Sequence, residues 1–86
     1  MKSKKTILPF KEGLQAKPAS EITNFLRNFN SNVTMNYKGR IGNCKSIISL
    51  LSLCVPKQEE VEIIFEGENE EQEIVVFFEF LENGEE

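Results

Sequence analysis

The chain contains no histidine, only two cysteines and no apolar run long enough to cross a bilayer. Without imidazole it lacks the commonest general base, the commonest metal ligand and any route to a phosphohistidine. Cys44 and Cys54 sit in apolar contexts with no second pair of ligands, which argues against zinc and for two reduced thiols. The opening "MKSKKTILPF" is basic, but its apolar stretch is shorter than an export signal requires and far shorter than a membrane span. A cytoplasmic protein with no cofactor, no metal and no membrane partner is expected.

What is present is ordinary for a small globular protein. The 86 residues are 40% apolar and 28% charged, enough for one compact domain over 1–86 and too few to divide. The net charge is -4, with glutamates gathered in the second half and most lysines and arginines in the first. An acidic balance disfavours direct binding to nucleic acid. The basic half suits an acidic partner or a phosphate, although a solvated mixed surface has the same composition.

Periodicity predicts the elements in order. Residues 4–10, "KKTILPF", read as a strand ended by Pro9. Ala19, Ile22, Leu26 and Phe29 recur at helical spacing with Phe25 beside them, which predicts a helix over 16–28 with Pro18 in its first turn. Val33, Met35 and Tyr37 alternate with polar residues, and Lys38-Gly39 turns that strand into the short strand "RIGN". A helix opens at Ser46 and ends before Pro56. Val61, Ile63 and Phe65 mark another strand. The last segment has a β-prone stretch at Ile74–Phe78, yet Asn69 as N-cap, acids in the first turn and Gly84 as terminator favour helix, with Ile74, Phe77, Phe78 and Leu81 inward. The order β-α-β-β-α-β-α predicts an α+β fold, an antiparallel sheet covered on one face by three helices.

Two places can carry chemistry. In "EGLQAKPAS" a strand turns into a helix whose unpaired N–H groups, with Lys17, attract anions. A plain structural turn has the same grammar, and Gln15 at its tip neither titrates nor acts as a nucleophile. Ser46 is a good N-cap, which is a structural role by itself. A phosphate on its hydroxyl would add about two negative charges at the positive end of a helix and leave the fold in place. On that helix Ile47, Ile48, Leu50, Leu51, Leu53 and Cys54 sweep an arc of about 220°, where a helix on a sheet needs a stripe of about 100°. With Leu50, Leu53 and Cys54 turned inward, Ile48, Leu51 and part of Ile47 form an apolar patch beside Ser46. A helix tucked under a loop is the alternative.

These motifs resemble those of the HPr family, the histidine-containing phosphocarriers of the bacterial sugar phosphotransferase system. "GLQAKPA" is similar to the active-site turn G-L-H-A-R-P-A, "NCKSIISLLSL" to the second motif N-x-K-S-I-M-G-L-M-S-L, and "EVEIIFEGENEEQE" to the last strand and helix start. The resemblance implies the HPr-like open-faced β-sandwich with four strands. It puts Gln15 at the position of the phosphorylated histidine, so a phosphocarrier activity is not expected, and neither is an enzyme. Glutamine there with the serine motif kept resembles the Crh type, the catabolite-repression paralogues of HPr.

That resemblance implies phosphorylation of Ser46 by HPr kinase/phosphorylase and action as a corepressor of catabolite control protein A. It also implies partner contacts through Lys17, Ile47, Ile48 and Leu51. Lys17 stands where the family has arginine, Ser49 where it has glycine, and Ile48 and Leu51 where it has methionines, all on the expected contact surface. The alternatives are an adaptor that binds through the helix-two patch whatever the state of Ser46, and a degenerate paralogue of the phosphotransferase system.

Overall fold

The computed structural model describes residues 1–83. Strand β1 spans Lys2–Ile7, helix α1 Ala16–Leu26, β2 Asn32–Tyr37, β3 Arg40–Asn43, α2 Ile47–Leu51, β4 Glu60–Glu66 and α3 Glu70–Asn83. The four strands form one antiparallel sheet in the order β1-β4-β2-β3. The alternation seen in the sequence decides which face is covered. Val33, Met35, Tyr37, Val61, Ile63 and Phe65 are buried against the helices, and the residues between them face outward. The α+β open-faced sandwich expected from the sequence is the fold observed.

Aromatic side chains fill much of the space between sheet and helices. Phe65 and Phe77 are fully buried, and Phe25 on α1 stacks on Phe80 of α3 with ring centroids 4.1 Å apart. Ile74 is half-buried, whereas Phe77, Phe78 and Leu81 are buried, so α3 is a helix despite its β-prone run. Its start is fixed by Glu70, which accepts from the Gly67 N–H at 3.0 Å and from the Met1 ammonium at 2.6 Å. The expected Gly84 terminator lies outside the described residues. Glu73 reaches across from α3 and accepts from the N–H groups of Asn30 and Ser31, each at 2.9 Å, which fixes the turn after α1.

Three elements have bounds other than those expected. The first strand starts and stops earlier than 4–10, because Leu8 and Phe10 turn into the core on either side of Pro9 instead of continuing the ladder. Helix α1 ends at Leu26 and not at 28, with Arg27 as its C-cap. Helix α2 is five residues long, where a helix from Ser46 to the residue before Pro56 was expected. Its chain turns at Ser52–Leu53, and Cys54 adopts a left-handed φ of 54°. That reversal swings Cys54 out to solvent, so only Leu50 and Leu53 of the expected inward trio are buried.

Candidate functional site

Ser46 stands at the N-cap of α2 in the extended conformation that an N-cap requires (φ -128°, ψ 119°). Its Oγ accepts the N–H of Ser49 at 3.2 Å, and its own N–H donates to the Asn43 carbonyl at 3.0 Å. The residue is half-buried. Asn43 organises the approach. Its Oδ1 accepts from the Lys45 N–H at 2.9 Å, and its N–H donates to the Ser49 Oγ at 2.8 Å.

Neighbouring elements pin the turn that presents Ser46. Thr23 in α1 donates its hydroxyl to the Cys44 carbonyl at 3.3 Å, and Lys45 Nζ donates to the Phe29 carbonyl at 2.7 Å. Cys44 is buried, and burial pushes its thiol pKa up to about 12. It is therefore an inert packing group under α2. Lys45, the cation next to Ser46 in sequence, directs its ammonium to the Phe29 carbonyl in the turn after α1. Sequence reasoning missed the positioning roles of Asn43 and Lys45. The signal was present in "NCKS", where an asparagine that closes a local turn precedes the cap by three residues.

The apolar residues of α2 divide sharply. Leu50 is fully buried, Leu51 is half-buried against the core, Ile47 is 39% exposed and Ile48 is 81% exposed. The patch expected from the helical wheel is thus centred on Ile48, with Ile47 beside it and Leu51 contributing only part of its surface. Leaving Ile48 in water forgoes the roughly 1.5–3 kcal/mol that burying such a side chain gives.

Gln15 is the N-cap of α1 and makes no side-chain cap bond. Its Nε2 donates back to the Glu12 carbonyl at 3.2 Å. The turn beneath it is tightly built. Gly13 has φ +82°, and a Cβ there would lie 2.6 Å from the Val55 carbonyl oxygen, so only glycine fits. The Leu14 N–H donates to the same carbonyl at 2.9 Å, which docks the turn on the segment after α2. Lys17 is exposed and, among the described residues, makes no ion pair. Helices α1 and α2 pack together, but no hydrogen bond among the described residues joins Gln15 or Lys17 to Ser46.

The sequence model for the PTS HPr component phosphorylation site matches residues 2–83. This chain belongs to the HPr family. Its likeness to known members extends across their length. The HPr-like protein Crh of Bacillus subtilis is 38% identical over 72 residues, which cover 84% of this chain and 85% of that protein. The Crh of Halalkalibacterium halodurans is 30% identical over 82 residues, 95% of this chain and 98% of that one. Among solved structures, HPr from Thermoanaerobacter tengcongensis superposes with a TM-score of 0.90 at 31% identity, covering 100% of this chain and 99% of the other. The HPr fold is therefore kept in a chain that has no histidine at all.

Proposed function

We infer that this HPr-family protein is a regulator of the Crh type, switched by phosphorylation of Ser46. HPr kinase/phosphorylase adds the phosphate, and the modified protein acts as corepressor of catabolite control protein A. Gln15 takes the place of the family's histidine, so the turn serves as a docking surface and transfers no phosphate. The observation that supports this reading best is the half-buried Ser46 at the head of α2, two residues from the 81% exposed Ile48. A dianion there lies at the favourable end of the helix and beside an apolar side chain free to enter a partner. Lys17, Ile47, Ile48 and Leu51 are the contacts assigned to that partner.

The test is incubation with HPr kinase/phosphorylase and ATP, followed by mass spectrometry and by titration of the product onto catabolite control protein A. The wild type is expected to gain one phosphoryl group and to bind only when modified, and Ser46→Ala to do neither. A wild-type mass that stays unchanged when an authentic HPr is modified in the same tube rejects the reading. The exposure of Ile48 also favours a second reading, an adaptor that binds through this side chain in either state of Ser46. In that case Ile48→Asp abolishes binding and Ser46→Ala leaves it intact.

A further inference from the structure

Three residues close a ring of hydrogen bonds around the head of α2. The Asn43 N–H donates to Ser49 Oγ at 2.8 Å, the Ser46 N–H to the Asn43 carbonyl at 3.0 Å, and the Ser49 N–H to Ser46 Oγ at 3.2 Å. Topology explains the first of these. Strand β3 stands at the border of the sheet and pairs with β2 alone, so the N–H that Asn43 turns outward meets no further strand. The Ser49 hydroxyl supplies its acceptor.

Ser49 occupies the third position of α2, from which a side chain points back toward the residue that caps the helix. Its hydroxyl, bonded to Asn43, and its N–H, bonded to Ser46 Oγ, both reach back to the turn that ends in Ser46. A serine hydroxyl has one proton to give as well as lone pairs that receive. One lone pair takes the Asn43 N–H, whereas the proton has no acceptor among the described residues; the nearby Ser52 hydroxyl bonds the Ser49 carbonyl instead. A half-buried donor beside the cap is thus left without a protein partner there.

A phosphate on Ser46 supplies the missing acceptor. It adds three strong acceptor oxygens and about two negative charges at Ser46 Oγ, the atom already bonded to the Ser49 N–H. We propose that the Ser49 hydroxyl donates a hydrogen bond to an oxygen of that phosphate while its lone pair keeps the Asn43 N–H, so that Ser49 holds the modified side chain in one orientation. This assignment rests on the reading of Ser46 as the phosphorylated residue. It adds a contact that the family's motif does not carry, since glycine stands at that place in the motif and has no hydroxyl to give. A bond from a hydroxyl to a dianion is charge-assisted and stronger than one between neutral groups. The cations of the adjoining segments, Lys45 and Arg40, are bonded to the Phe29 and Leu53 carbonyls at 2.7 and 2.6 Å.

The test uses the 86-residue chain made by chemical synthesis with Ser46 already phosphorylated, so it needs no kinase. Phosphorus NMR followed against pH reads the second ionisation of the phosphate, ordinarily near pKa ~6. A hydrogen bond to the dianion lowers that value, so Ser49→Ala is expected to raise it by about half a unit to one unit, an about three- to tenfold change in the ionisation constant. Ser49→Gly should do the same, and Ser49→Thr, which keeps a hydroxyl, should restore the wild-type value. Lys45→Met removes the neighbouring charge and should leave the difference between wild type and Ser49→Ala in place. A purely structural Ser49 would change melting alike with and without phosphate and leave the ionisation where it was. Equal ionisation in wild type, Ser49→Ala and Ser49→Gly overturns the proposal, as does a Ser49→Thr that behaves like Ser49→Ala or a difference that vanishes with Lys45→Met. If HPr kinase/phosphorylase leaves the natural protein unmodified while the ionisation of the synthetic one still depends on Ser49, the regulatory reading fails and the Ser49 contact stands.

Discussion

Removing and then charging one hydroxyl tests the physical basis of the proposed switch. Ser46 Oγ accepts a single N–H, that of Ser49, at 3.2 Å, and it caps a helix of only five residues. Replacing such a cap by alanine costs about 1 kcal/mol, within a usual range of ~0.5–2. For a domain of this size that lowers the thermal midpoint by roughly 4–8 °C. Ser46→Asp keeps an acceptor at the cap and should stay within about 0.5 kcal/mol of the wild type.

The phosphorylated protein keeps the oxygen and adds a dianion at the helix start, so it should equal or exceed the wild type by about 0.3–1 kcal/mol at low salt. That gain should shrink as salt is added, because the charge is partly exposed. The assay is urea or thermal unfolding of the four forms followed by circular dichroism. If the phosphorylated form melts below Ser46→Ala, the phosphate disrupts the start of α2, and the idea of a charge gained without loss of structure is wrong.

Three further outcomes follow from burial and charge. Leu50→Ala should cost about 2–5 kcal/mol in urea unfolding, whereas Ile48→Ala on the same helix should change stability by less than about 0.5 kcal/mol; similar losses for both would mean that Ile48 is part of the core. Partial burial raises the Glu73 pKa, but hydrogen bonds from Ser31 and Asn30 and the Lys45 charge outweigh it and hold the carboxyl below its ordinary 4.5. Its stabilisation is then complete above that value and is lost as pH falls through the lower folded-state pKa, so Glu73→Gln should flatten the acid limb of the stability curve and leave the slope near neutrality unchanged. Cys54 should react with a thiol reagent in the native protein, while Cys44, buried and pushed up to about 12, should react only at the rate of unfolding; equal rates for the two would contradict the turn after α2.

Much of this fold is written in local patterns. The period-two alternation of Val33, Met35 and Tyr37 and of Val61, Ile63 and Phe65 names the buried face of the sheet, because side chains of a strand can point only two ways. The pair Lys38-Gly39 specifies a hairpin, since both residues take the positive φ that such a turn needs (53° and 86°). Ser46 as a cap is legible for a similar reason, because a hydroxyl before an apolar helix satisfies an N–H that has no other partner.

Non-local packing decided the rest. Five consecutive apolar residues, Ile74–Phe78, suit a strand or a helix equally, and contact with Phe25 and Phe65 on other elements helps to fix the helix. The early end of α2 and the exposure of Cys54 depend on the chain reversing so that Val55 can hold the turn below Gln15, a contact between segments some forty residues apart. A single helical wheel assumes that the helix continues, so it overstated the inward face there. The bare edge of β1 is likewise invisible in "KSKKTI", because whether a strand lies inside a sheet or at its border is settled by the order in which distant strands pair.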